Sequence, residues 1–282
     1  MITALITIVT AIVSVMAFKD EALLDRLAFK SHRVLAHKEW YRMVSSSLVH
    51  GDWRHLAFNL ISFYAFARTL ELVYGAPLLL ALYFGSVFGG ALLSLAMHRH
   101  HVYSSVGASG GICGIIFAII FLLPGTGVNM FFIPIPIPAI IYGPSFLLIS
   151  YFGIKNKTDN VGHIAHFGGA LAGTFLALAF HPSVVLAQPV VLGCVVGLSA
   201  LLLFLLKRDP TVFVGSLFGS PQREYKSNLR YQRYDEARER NAKKAELDRL
   251  LDQIAERGIG SLSRAEKQRL TELSKKYASA KG

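Results

Sequence analysis

The sequence predicts an all-α, polytopic membrane helix bundle: a six-helix core, one extra C-terminal span and a short soluble helical tail. Three observations carry this expectation. The chain of 282 residues is 53% hydrophobic and only 17% charged, where a soluble domain averages about 25% charged. The charge is also unevenly placed. Residues 1–206 hold 11 Lys+Arg and 7 Asp+Glu, while residues 207–282 hold 18 and 11, so the stretches carry +4 and +7 of the total +11. The third observation is a series of apolar runs near the length that a bilayer demands. About 20 residues of helix cross a hydrocarbon core of about 30 Å, and open strands would leave backbone groups unpaired in lipid.

Seven spans follow in order: 2–18, 55–73, 78–97, 109–123, 131–153, 163–181 and 184–206. The first has no basic leading region and no small-x-small cleavage site, so it reads as a span and not as a removed signal. Residues 19–54 form a long loop that mixes charge with Leu23, Leu24, Leu27, Trp40 and Tyr41, a composition suited to the membrane interface. The fourth run is short, since fifteen residues give about 22 Å of helix, and its start is expected below the membrane surface. Alternate prolines in Ile133-Pro134-Ile135-Pro136-Ile137-Pro138 remove backbone donors, so the fifth helix is expected to begin after them.

Two domains result: 1–206 in the membrane and a basic tail over 207–282. Within the tail, Leu247, Leu250, Leu251 and Ile254 give helical spacing over 235–256. Gly258 and Gly260 interrupt it, and Ser263-Arg264-Ala265-Glu266 has capping-box spacing for a second helix. A basic tail beside a membrane domain suits lipid headgroups better than nucleic acid, and no nucleic-acid partner is expected. Its own partner is not readable. Cys113 and Cys194, both in apolar runs, offer neither a disulfide framework nor a metal-ligand spacing.

Polar residues inside a membrane are costly and are candidates for function. They gather in three places: His50, His55 and Asn59 around the start of span two; Gly107-Ala108-Ser109-Gly110 opening span four; and Gly162-His163-Ile164-Ala165-His166-Phe167-Gly168-Gly169 opening span six. A serine on one helix and a histidine on a neighbour are the parts of a nucleophile–base pair. Histidine titrates near neutrality, and a neutral imidazole is cheaper to bury than a carboxylate. Either His163 or His166 could serve. The two groups must come within about 3 Å, and small-xxx-small spacing permits such an approach. Gly110 and Gly114 supply it on span four, Gly169 and Gly173 on span six. The Ser109 amide, His55 and Asn59 are candidate donors to an oxyanion.

The patterns His50-x4-His55-x3-Asn59, Gly107-x-Ser109-Gly110 and Ala165-His166-x2-Gly169-x3-Gly173, in this order, resemble the three signature motifs of rhomboid proteases. The resemblance covers residues 40–180. Tyr41-Arg42 looks like the family's Trp-Arg pair, with tyrosine replacing tryptophan, and Glu71 resembles a structural acid. It implies a Ser–His dyad without an acid: Ser109 as nucleophile and His166 as base and then acid. His55, Asn59 and the Ser109 amide would hold the oxyanion, with His50 supporting them near the mouth. It further implies cleavage of single-span membrane proteins in the bilayer and no cofactor. One departure is Cys113, one turn after the serine, where the family often carries an aromatic that stacks on the catalytic histidine.

Other classes fare worse. A zinc site would call for a motif such as HExxH, which is absent, as is the GxGD of intramembrane aspartyl proteases. A transporter would show repeat symmetry, and none is visible. A catalytically inactive relative that binds membrane proteins for quality control is the runner-up, although such relatives usually lack the serine or the histidine. Counting Lys and Arg in the loops puts the active-site mouth on the cytoplasmic side, whereas the resemblance implies an outward mouth. The reading adopted is the family's orientation, in the cell (inner) membrane.

Overall fold

Each apolar run becomes a helix, and two of them fuse across a break. The computed structural model describes residues 1–99, 102–125, 127–130, 133–156, 161–208, 244 and 246–278. The chain divides into two units, Met1–Ser220 and Pro221–Gly282. In the first, α1 spans Ile2–Lys19, and a long loop carries α2 (Glu21–Leu27), β1 (Phe29–Lys30), α3 (Ser31–His37) and α4 (Arg42–Ser45). Then come α5 (Trp53–Met97), β2 (Ser104–Ser105) and α6 (Ser109–Leu122). A hairpin of β3 (Val128–Met130) and β4 (Ile133–Ile137) precedes α7 (Ala139–Asn156), α8 (His163–Phe180), α9 (Pro182–Leu186) and α10 (Pro189–Arg208).

The 45 residues of α5 are two spans, because Gly75 (φ 83°, ψ 170°) leaves helical geometry just before Pro77. Among the described residues, seven apolar helical segments result. Among the described residues, α1, α5, α8 and α10 are long and apolar enough to cross a bilayer. Lipid-type faces are plain on α1, where Leu5, Ile8, Ile12 and Met16 are exposed. The fifth predicted span, 131–153, is trimmed at its start. Ile133–Ile137 pairs antiparallel with Val128–Met130 instead, and helix begins only after Pro138, once the missing proline donors no longer matter.

At the centre lies α6, packed by α5 and α8. Every residue from Gly110 to Leu122 is buried, as expected of a helix that is apolar on all sides. Its 14 residues give about 21 Å, short of the bilayer core. Its last carbonyls would be orphans, and side chains serve them. Tyr74 OH donates to the Leu122 carbonyl (2.7 Å) and Gln188 Nε2 to that of Phe121 (2.6 Å). At the start of α1, Glu71 accepts the N–H groups of Ile2 (2.7 Å) and Thr3 (3.1 Å), a carboxylate at a helix N-terminus.

The long first loop packs on the bundle. Phe29, Val34 and Met43 form a core with Ala91 and Leu95 of α5. Arg42 is buried and donates to the carbonyls of Asp25 (2.6 Å) and Ala28 (2.8 Å), and it pairs with Glu39. Lys30 and Asp25 form a buried ion pair. β1 pairs with β2, Phe29 opposite Ser105 and Lys30 opposite Ser104, which ties this loop to the segment that leads into α6.

In the second unit, residues 246–257 form α11 and Arg264–Ala278 form α12. Most of the predicted helix before residue 246 lies outside the described residues. The turn between the helices carries Gly258 at φ 74°. Ser263 N–H donates to Glu266 Oε2 (2.9 Å) while Glu266 N–H donates to Ser263 Oγ (3.3 Å), a reciprocal capping box. Leu250, Leu262 and Leu273 are buried, and Arg269 reaches Glu246 at 3.1 Å.

Candidate active site

The site forms where α6 and α8 begin. Ser109 is the first residue of α6, and His166 lies one turn into α8. Their side chains meet, with His166 Nε2 and Ser109 Oγ 2.6 Å apart. A hydroxyl and an imidazole at this distance share one proton along a hydrogen bond, the arrangement of a base-activated nucleophile. His163, the other candidate, sits elsewhere. Its ring fills the notch that Gly153 leaves on α7, with its centroid 6.1 Å from that of His166.

Glycine sets the spacing. A Cβ on Gly169 would overlap the Gly110 carbonyl oxygen, and one on Gly173 would overlap that of Gly114. One on Gly110 would stand 3.2 Å from the Ala165 carbonyl oxygen. Two glycines that the motifs do not include also take part. A Cβ on Gly90 of α5 would lie 2.5 Å from the Ala165 oxygen, and one on Gly89 would strike Ala172. So α8 is seated against both α5 and α6 through backbone contact.

Loop contacts steer the chain into Ser109. Gly107 adopts φ 121°, and a Cβ there would come within 2.8 Å of the His55 ring. Gly107 N–H donates to the Ser46 carbonyl (2.9 Å) and Ala108 N–H to His50 Nε2 (3.3 Å). His50 is fully buried, edge-on to His55 with ring centroids 4.9 Å apart. Burial, with His55 adding to it and Asp52 opposing it, pushes the His50 pKa down from 6.5 to about 3, so the ring is neutral. Asp52 caps α5 by accepting His55 N–H at 2.9 Å. That hydrogen bond holds the Asp52 carboxyl below the usual carboxylate range.

Asn59 is buried one turn beyond His55. Its Nδ2 donates to the His55 carbonyl (2.8 Å), and its Oδ1 has no hydrogen-bond partner among the described residues. That leaves a second N–H on the amide. Cys113 is buried in α6. Among the described residues, no group of three or more His, Cys, Asp or Glu could hold a metal ion.

Sequence reasoning passed over two participants. Ser14 of α1 contacts His50, and Ser46 receives Gly107 N–H. Ser14 carried a usable signal, a hydroxyl inside an apolar span. Ser46 acts through its backbone carbonyl, which no side-chain pattern discloses.

A bundle of apolar helices with a serine–histidine pair at two glycine-packed helix starts defines an integral membrane protein with hydrolase-like machinery. The Rhomboid domain model matches residues 37–183, and the chain belongs to the rhomboid family, a family of intramembrane proteases. The chain is 27% identical over 150 residues to "Rhomboid protease GluP" of Bacillus subtilis, covering 53% of this chain and 28% of that protein. It is 29% identical over 161 residues to "Rhomboid protease AarA" of Providencia stuartii, covering 50% and 56%. It is also 28% identical over 158 residues to "RHOMBOID-like protein 12, mitochondrial" of Arabidopsis thaliana, covering 50% and 45%. The chain thus spans between about a quarter and just over half of the length of these curated relatives. Residues 232–276 match a family of unknown function, DUF6576.

Proposed function

We propose that this chain is an intramembrane serine endopeptidase that cuts transmembrane segments of membrane proteins, with Ser109 as nucleophile and His166 as general base and then acid. The observation that carries the reading is the 2.6 Å contact between His166 Nε2 and Ser109 Oγ. Nε2 takes the hydroxyl proton as Oγ attacks the scissile carbonyl, and a tetrahedral oxyanion forms. His166 returns that proton to the leaving amine as the peptide C–N bond breaks. Water, activated by the same imidazole, then hydrolyses the acyl-enzyme.

The Ser109 amide, the His55 ring and the free N–H of Asn59 serve the oxyanion. His50 and Gly107 hold the loop before Ser109. Gly110, Gly114, Gly169 and Gly173 keep the helices close enough for proton transfer. The chemistry uses side chains and backbone alone, without cofactor or metal. The substrates are transmembrane proteins in the same bilayer, and the site of action is the cell (inner) membrane, with the mouth opening outward. No partner is assigned to the tail.

The test is cleavage of a single-span reporter by the full chain in liposomes. Ser109→Ala and His166→Ala should each lower cleavage by about a thousandfold or more while the melting temperature is preserved. Cleavage that persists in either variant overturns the dyad. Asn59→Ala should cost about a hundredfold in kcat.

A further inference from the structure

Hydroxyls inside membrane helices ordinarily satisfy themselves on their own helix, donating to the carbonyl four residues back. Thr7, Ser94 and Thr174 do this, donating to the carbonyls of Thr3 (2.8 Å), Gly90 (2.9 Å) and Ala170 (3.0 Å). Ser14 does not. It is fully buried, and its Oγ lies 2.9 Å from the Leu48 carbonyl oxygen and 3.0 Å from His50 Nδ1. Both partners belong to the chain that leads into α5. Ser14 also lies outside residues 37–183, the stretch that matches the family.

The protons in this network can be assigned one by one. Ala108 N–H can only donate, so His50 Nε2, 3.3 Å away, carries the lone pair. A neutral ring then bears its proton on Nδ1. Nδ1–H donates to Ser14 Oγ, and the one proton of Ser14 goes to the Leu48 carbonyl. Every donor and acceptor is used once. Without the Ser14 oxygen, Ala108 N–H alone favours that tautomer, and Nδ1–H loses the acceptor that holds it in this network. The alternative tautomer would aim Nε2–H at Ala108 N–H, two donors face to face, one residue before Ser109.

We propose that Ser14 is a positioning residue for the proposed cleavage: it holds His50 in the Nδ1–H tautomer, and His50 in turn fixes the Ala108 amide and hence the approach of the chain to Ser109. The inference rests on the Ser109–His166 reading for its effect on rate, though not for its effect on His50.

The experiment compares Ser14→Ala and Ser14→Thr with the wild-type full chain in liposomes. It reads kcat and KM on a single-span reporter, the melting temperature, and the imidazole 15N spectrum. The His50 signal is assigned by its loss in His50→Gln. Ser14→Ala should lower kcat about tenfold, the scale of a small misplacement of a nucleophile, with KM within about twofold. It should also move the His50 signal away from the Nδ1–H tautomer. Ser14→Thr, which keeps the hydroxyl, should restore both. The proposal is overturned if Ser14→Ala keeps wild-type kcat, or if its His50 remains in the Nδ1–H form. Where threonine does not fit, the Ser14→Ala spectrum decides alone. Ser109→Ala and His166→Ala run alongside. If they still cleave, the dyad reading falls, while the His50 spectrum still decides the Ser14 linkage.

Discussion

Gly169 of α8 lies directly against the backbone of Gly110 of α6, so that the space of a single methyl group at position 169 is already taken by the Gly110 carbonyl oxygen. Ser109 and His166, the neighbours of these two glycines in their helices, are brought together by that contact. Gly169→Ala must push the helices apart. Overpacking of this kind costs about 1–3 kcal/mol, and the hydroxyl–imidazole contact of 2.6 Å cannot survive it unchanged. The expected outcome is a lowered melting temperature and a loss of kcat of about a hundredfold. Unchanged reporter cleavage by Gly169→Ala would sink the close-approach argument.

A second expectation concerns pH. The His50 pKa falls from 6.5 to about 3 on folding, through burial first and His55 second. Between these values the unfolded chain binds the proton and the folded chain does not, so stability rises with pH across the window. Melting temperature should therefore be flat in this term above about pH 6.5 and drop as pH falls toward 3. Asp52 is also held low, by His55 N–H, but its loss comes lower, in the carboxylate range. His50→Gln should reduce the slope between about pH 6.5 and 4.5. An undiminished slope there in His50→Gln would show that another group carries it.

Arg42 gives a third. It is nearly fully buried and serves two carbonyls, those of Asp25 and Ala28. Arg42→Ala leaves both acceptors and the Glu39 carboxylate without it, at a cost of about 2–4 kcal/mol. Arg42→Lys keeps the charge but not the planar fork, and should recover only part. Limited proteolysis within residues 20–45 should accelerate in the same order, alanine before lysine before wild type. Equal protection in all three would refute the anchoring role.

The fourth follows from the end of α10. Leu206 shares a cluster with Ile154 and Ile164, against Met97, so α10 finishes on the side of the bundle where α8 begins. Tags placed after residue 282 and within loop 98–108 should thus be protected, or exposed, together in sealed vesicles. Opposite accessibility would contradict the seven-segment path.

Much of this was legible from residue types. Hydropathy marks each of the seven segments, because lipid imposes a length and forbids open backbone. Ser109 and His166 stand out as polar groups at helix starts, and the glycine spacing beside them is visible. What escaped is long-range or carried by backbone. The pairing of Ile133–Ile137 with Val128–Met130 depends on partners beyond any local period, although the start of the fifth helix after Pro138 was legible in the alternate prolines. The fit of Gly89 and Gly90 against α8 is set by how α5 resumes after Gly75. The link from Ser14 to Ala108 crosses three segments, and no spacing within one of them encodes it.

The treatment of α6 at its two ends has an electrical consequence. Aligned peptides give a helix about half a positive charge at its N-terminus and half a negative charge at its C-terminus. In α6 the negative pole is offset, since Tyr74 and Gln188 place donors on the Leu122 and Phe121 carbonyls. The positive pole, at Ser109, meets no such cancellation from those groups. Because Gly110 to Leu122 are buried, the body of the helix is little screened by water, and its field reaches the half-buried Ser109. The bundle therefore holds a standing potential that lowers the energy of negative charge arising beside Ser109, before any substrate arrives.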